Sequence, residues 1–334
     1  MKTGTSYFAV RIPRHVAADM DLLVRDGFSY VCHTFSENDM AFYHPTMKEI
    51  LRITRDKGLE TYLDPWGVGK VFGGEAFSNF VGSNLDALQI LSDGKPAGLA
   101  CPMHPKFRAF MKQWIESAAE LQPDVLFWDE PHFSVGTWVG DRKGQWGCRC
   151  DICKAHFHER FGFDMPNERT PEVHAYLEWA IHDFLSYVIA EGAKCGMRNA
   201  LCLLPHEDGT HGAVDNWSNF GAIKGLDIIG TDPYFDLFGT GLDQVEQYSK
   251  RVQQAADEHG IESEVWFQGF KIASGREPLQ AQAVDIAAAA GISRLAVWGF
   301  EACDHLGWIR PDNPQLLWRT FLDKFAELQS AAAR

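Results

Sequence analysis

The stretch VLFWDEPHF, residues 125 to 133, closes an apolar run on two adjacent carboxylates, Asp129 and Glu130, with Pro131 stiffening the chain just after them. Adjacent acids repel and partly desolvate each other, so one can keep its proton near neutral pH and act as a general acid. The pattern recurs as YLDPW with Asp64 and Trp66, as GTDPYF with Asp232 and Tyr234, and as VWGFEACDH with Trp298, Glu301 and Asp304. A further apolar run leads into PHED, with His206 and Glu207. One such acid would read as a helix cap or a surface ion pair, but their recurrence at the ends of apolar runs describes an acidic pocket. Tryptophan is abundant, eleven in 334 residues, and Trp66, Trp138, Trp146, Trp298 and Trp308 fall beside these acids. Flat aromatic faces stack on sugar rings while carboxylates bind hydroxyls, so the combination favours a carbohydrate ligand.

A second constellation is GCRCDIC, in which Cys148, Cys150 and Cys153 can converge on one ion. Three thiolates leave a tetrahedral zinc one ligand short. Cys101 in LACPMHPKF supplies the fourth, with His104 as a substitute. Four thiolates leave no open coordination position, so the expected zinc is a structural ion pinning two loops. The other cysteines are scattered, unlike a secreted disulfide framework, which favours a reducing, cytoplasmic setting.

These residues require elements to carry them. Eight β-rich runs begin at Tyr7, Tyr30, Glu60, Asp124, Ala200, Asp227, Glu264 and Arg294, most of them followed by helical patterns. Alternation of this kind predicts a closed (β/α)8 TIM barrel, formed as one domain over residues 1–334. The connections after strands three and four are the long ones, so they are enlarged loops above the barrel's C-terminal face, with a zinc-binding insertion around 95–165. A doubly wound sheet is the rival, but no glycine-rich phosphate loop follows the first strand. Thr170 and Pro171 predict the start of a helix that stops near Gly196, and a second helix ends at Gly291.

The net charge of -14 opposes binding to nucleic acid or anionic membranes. No run approaches the roughly 20 apolar residues of a membrane helix, and the N-terminal stretch is broken by Arg11, Pro13 and Arg14.

On CPMHP, FWDEPHF, CRCDICKAHFHERFG and LDIIGTDPYF, the chain resembles the family 42 glycoside hydrolases, zinc-containing barrel β-galactosidases of clan A. The motif-level resemblance spans about residues 95 to 240. It implies Cys101, Cys148, Cys150 and Cys153 as zinc ligands and Glu130 as acid/base. Relatives often assemble as trimers, so a homo-oligomer stays open. Two positions depart from the family. Asp129 stands where it has Asn, and Gln268 stands where clan A carries its nucleophilic Glu, at the end of strand seven.

An amide is no nucleophile at a sugar carbon, which leaves three routes. An inverting pair would set Glu130 against Asp232 or Glu301 across roughly 6.5–9.5 Å, and a retaining pair would close that to about 5–5.5 Å. In the third, Asp129 orients a substrate 2-acetamido group that attacks in place of a protein nucleophile. The expectation is a glycoside hydrolase with Glu130 as proton donor, Asp232 as leading partner and Asp129 beside them. Asp64, Trp66, His132, Glu207, Tyr234, Gln268, Trp298 and Glu301 line the sugar site. Two readings of other classes are a non-catalytic carbohydrate-binding barrel and a metal-dependent isomerase or aldolase-like barrel using Glu130, Asp232, His206 and Glu207.

Overall fold

A computed structural model of the chain describes residues 1–134, 144–205 and 214–332. Eight parallel strands close into a barrel in sequential order: β1 (Lys2–Tyr7), β2 (Tyr30–Thr34), β3 (Glu60–Asp64), β4 (Val125–Asp129), β5 (Arg198–Leu203), β6 (Ile228–Thr231), β7 (Glu262–Gln268) and β8 (Arg294–Trp298). The long helices pack outside: α1 (Pro13–Arg25), α2 (His44–Asp56), α3 (Pro105–Leu121), α4 (Asp151–Phe161), α5 (Pro171–Lys194), α6 (Leu242–His259), α7 (Glu277–Ala289) and α8 (Pro314–Ala332). This is the expected (β/α)8 barrel. No described helix is long and apolar enough to cross a membrane.

The first strand is the correction. The sequence reading starts it at Tyr7, where the aromatic and β-branched residues begin, yet β1 ends there. Its residues KTGTSY are polar or small because this wall of the barrel has no room for bulk. A Cβ on Gly4 would lie 2.2 Å from the Tyr30 ring. Elsewhere apolar runs and strands overlap, because each strand is buried on both faces and is therefore mostly apolar.

Helix α5 begins where its punctuation says. Thr170 caps it by accepting from the Val173 amide at 3.4 Å, Pro171 follows, and Gly196 lies just past the end with φ +83°. The N-terminal end of the barrel is plugged by Arg294, fully buried and bonded to Glu60, Glu262 and the Tyr62 hydroxyl. Charge of that kind stabilises one end and leaves the other for chemistry.

At the C-terminal end the loops after β3 and β4 are enlarged, as expected, and stitched together. The β3 loop contains a hairpin, Leu88–Ile90 with Pro96–Ala100. The β4 loop bonds to it through Arg149 N to Ile90 O at 2.7 Å and Ser92 N to Trp146 O at 2.8 Å.

Candidate active site

Because the strands are parallel, their C-terminal ends share one mouth, and β3, β4 and β8 deliver Asp64, Asp129 and Trp298 there. Glu130, just past β4, has φ +40°, a region that costs a non-glycine residue about 1–3 kcal/mol. Hydrogen bonds hold it there. Its amide donates to Cys202 O at 3.1 Å, and its carbonyl accepts from His132 Nδ1 at 2.6 Å. A carbonyl only accepts, so His132 carries its proton on Nδ1. Burial pushes the His132 pKa down to about 4, so the ring is neutral in ordinary buffers.

A cavity of about 190 Å³ opens above these strand ends. Its acids are Glu75, Asp129, Glu130 and Asp232, and its aromatic walls are Trp66, Tyr234, Phe270 and Trp298. That volume suits about one sugar ring, some six waters at ~30 Å³ each. The walls are braced from below by Phe8, 5.3 Å from the Trp66 ring and stacked on Trp298 at 5.4 Å. Glycines bring the β3 loop close. A Cβ on Gly73 would sit 2.3 Å from Asp129 Oδ2 and 3.0 Å from Glu130 Oε2, and one on Gly74 would strike the Trp66 ring.

The carboxyls cannot all be charged. Glu130 and Asp232 titrate as neighbours, each shifting the other's proton affinity. Burial, then the Glu130 charge, raises the pKa of Asp232, Asp129 and Asp64 well above the usual carboxylate range. Burial also raises Glu130, although Asp232 opposes the rise. Asp64 is fully buried, and neither of its oxygens has a hydrogen-bond partner. Lys271 is the cation in the cavity wall, its ammonium 3.5 Å from the centre of the Trp308 ring.

The other sequence candidates separate. Gln268 is buried, and its amide is used twice: Oε1 accepts from Leu237 N at 3.0 Å and Nε2 donates to Phe270 O at 2.9 Å. Leu237 and Phe270 both line the cavity, so Gln268 clamps its walls from behind. Glu301 lies elsewhere, exposed, its pKa raised by partial burial and by the acids Asp19, Asp304 and Asp26. Three successive left-handed residues, Glu301 to Cys303, turn the chain there. His132 braces Glu130 from outside the cavity lining. Trp146 is buried and bonded to Asn167 O, and Trp308 is 78% exposed on the rim. Trp138, His206 and Glu207 lie outside the described residues.

Sequence reasoning misses Glu75. It is exposed and lines the cavity from the β3 loop. The available signal was GGE in residues 73 to 75, two glycines permitting close approach beside an acid.

The cysteines assemble as the motif requires. The four Sγ atoms of Cys101, Cys148, Cys150 and Cys153 lie within 4.8 Å of one another, and none is in a disulfide. Cys101 is 3.5 Å from Cys153 and 3.7 Å from Cys150. A tetrahedron with metal–sulfur bonds of about 2.3 Å has edges of about 3.8 Å, so the set fits a thiolate-bound metal. Cys101 follows the hairpin and Cys150 caps α4, so an ion here would tie the two long loops. His104 caps α3 through Nδ1 instead. Among the described residues the cysteines are the one group of three or more His, Cys, Asp or Glu side chains spaced to share an ion.

No protein-family model matches the sequence, and no curated protein does. Solved structures do. The endo-1,4-β-mannanase of Rhizomucor miehei superposes with a TM-score of 0.63 at 10% identity, covering 98% of this chain and 95% of the mannanase. GH5_18 from Streptomyces cattleya, solved in complex with GlcNAc, gives 0.60 at 10% identity over 98% of this chain and 80% of its own. A D-allulose 3-epimerase from Methylomonas sp. gives 0.50 at 8% identity over 97% and 98%. The shared property is the (β/α)8 barrel.

Proposed function

We propose that this barrel is a glycoside hydrolase with Glu130 as proton donor. The observation that carries the reading is the gathering of Asp129, Glu130 and Asp232 in one aromatic-walled cavity sized for one sugar ring. Carbohydrate is also the substrate class in the names of the barrels above.

In the reaction, Glu130 gives its proton to the glycosidic oxygen as the bond from that oxygen to the anomeric carbon breaks. Water adds to the anomeric carbon and loses a proton to a second carboxylate, after which solvent exchange restores both groups. Asp232 is the partner expected from sequence and lines the same cavity, but burial and then the Glu130 charge raise its pKa well above the usual carboxylate range, which disfavours the ionised form a base needs. It keeps Glu130 supplied with a proton instead. Glu75 is the better acceptor: it reaches the cavity from another element, is exposed, and makes no hydrogen bond to Glu130. Tyr234 and Trp298 hold the sugar, and Asp129, against Gly73, meets its hydroxyls.

The four thiolates would hold zinc as a structural ion, remote from proton transfer. The cysteine loops and Glu130 are the features on which the sequence resembles family 42, and Gln268 is the departure from it. The isomerase reading needs an ion among Glu130, Asp232, His206 and Glu207. His206 and Glu207 lie outside the described residues, so the hydrolase reading rests on the carboxyl cavity and its aromatic walls.

The test is chromophore release from a panel of aryl glycosides, 2-acetamido sugars included, with Glu130→Gln as control. Cleavage of one glycone should fall by about 10²–10⁴ in the variant. Equal turnover would remove Glu130 from the mechanism, and a response confined to acetamido sugars would select substrate assistance through Asp129.

A further inference from the structure

A second depression of about 380 Å³ adjoins the carboxyl cavity, and Trp66 belongs to the lining of both. Its other walls come from the segments after β1, β2 and β3, and include Arg11, Asn38, Asp39, Tyr43, Phe77 and Asn79. The floor is rigid. Arg11 bonds Asp39 through Nε at 2.6 Å and Nη2 at 2.9 Å, and also bonds Thr34, while Ser36 closes on the same carboxylate at 2.8 Å. The pair cancels its own charge, which removes anions and cations as preferred ligands.

Above that floor the groups suit a neutral polyol. Phe77 is 93% exposed and Tyr43 41%, two aromatic side chains the fold does not bury. Asn38 and Asn79 are exposed, with side-chain amides that make no hydrogen bond within the described residues. Exposed rings beside unengaged amides offer stacking and hydrogen bonding without net charge. Trp66 makes the depression continuous with the cavity and is itself fixed, packed on Phe8 and against Gly74.

We propose that this depression is a second sugar subsite, so that the substrate is an oligosaccharide running from the carboxyl cavity past Trp66 onto Phe77. The proposal rests on the hydrolase reading above and adds substrate length to it. A single-ring cavity alone would suit a simple glycoside, whereas two depressions sharing a tryptophan wall bind adjacent units of one chain.

The test uses Glu130→Gln protein, in which turnover is expected to be slowed, titrated calorimetrically with glucose, mannose, galactose and N-acetylglucosamine and with their β-1,4-linked di- and trisaccharides. A trisaccharide should bind about tenfold or more tighter than its monosaccharide. Adding Phe77→Ala should remove roughly three- to tenfold of that gain and leave the monosaccharide unchanged. Phe42→Ala is the control, an exposed ring outside the depression, and should alter neither. Equal binding of mono- and trisaccharide, or equal loss from both phenylalanine variants, overturns the subsite. If aryl glycosides are still cleaved in that case, the hydrolase reading survives alone. Absence of binding by every sugar, with no aryl glycoside cleaved by the unsubstituted protein, overturns both.

Discussion

Gln268→Glu separates two accounts of the position. Were Gln268 a nucleophile disabled by its amide, the variant would gain retaining hydrolysis. The structure predicts loss, because the amide is a clamp. Glutamate keeps the acceptor for Leu237 N but loses the donor to Phe270 O, leaving a part-buried carbonyl facing a buried carboxylate. An unsatisfied buried acceptor costs about 1–3 kcal/mol, and crowding it with charge puts the expected loss near the upper end, about 3 kcal/mol. At about 2.1 cal/mol/K per residue, 334 residues give an unfolding entropy of about 0.7 kcal/mol/K, so Tm should fall by about 4 °C at pH 8. The sign with pH comes from the same contact. Burial beside a carbonyl raises the folded pKa of the new acid, and its protonated form can donate to Phe270 O. The variant's deficit should therefore shrink toward pH 5 and grow as pH rises through that folded pKa. Scanning calorimetry at pH 5 and pH 8, with aryl glycoside turnover alongside, decides the matter. A deficit that ignores pH, or a gain in turnover with retained configuration, would refute the clamp.

Three further outcomes are expected from the same geometry. Asp64→Asn should raise Tm at pH 8 and flatten its pH dependence. Burial raises the Asp64 pKa above 3.8, so the wild-type carboxyl costs about 1.4 kcal/mol of stability for each pH unit climbed between its unfolded and folded values. Denaturant melts across pH 4 to 8 check this, and a variant parallel to wild type would contradict it. Purified protein should carry about one zinc per chain that survives dialysis, and Cys148→Ser should lose it and melt earlier while keeping kcat below the new Tm, read by metal analysis and kinetics. Gly73→Ala should remain folded by circular dichroism yet lose at least about tenfold in turnover, because the added carbon would lie 2.3 Å from Asp129 Oδ2 and displace the carboxyl pair.

The barrel was legible where burial dictates sequence. Strands such as VLFWD and RLAVW face helices on one side and the barrel interior on the other, so their apolar runs announce them. β1 was not legible, because the room left for it by Tyr30 selects Gly and Ser, residues that look like a loop. The cysteine group was legible because spacing in sequence already constrains three of its members, and loop adjacency in a barrel supplies the fourth. The acids at strand ends could be placed at the mouth for the same topological reason, and Asp64, Asp129, Glu130 and Asp232 are there. Glu301 could not: the left-handed residues that carry it outward are ordinary side chains with no compositional mark. Gln268 was legible as a group unable to attack, but its role depends on where the Leu237 and Phe270 backbones lie, which loop conformation alone decides.

Residue types could give the number of acids but not their protonation, and protonation is what separates their roles. Four carboxyls of the mouth, Asp64, Asp129, Glu130 and Asp232, are raised by burial and by one another. Ionising all of them in so small a volume would incur desolvation several times over, with Lys271 the cation in the cavity wall. The cluster therefore stores protons. Glu130 alone of the four is more than marginally exposed, which is why the proposed mechanism assigns it the proton donation. Glu75 stands in solvent on a loop brought close by Gly73 and Gly74, and it makes no hydrogen bond to the cluster. On the proposed hydrolase reading, Glu130 is the proton donor fed by this buried cluster and Glu75 the acceptor outside it, a division of labour that needs no carboxylate at the C-terminal end of β7.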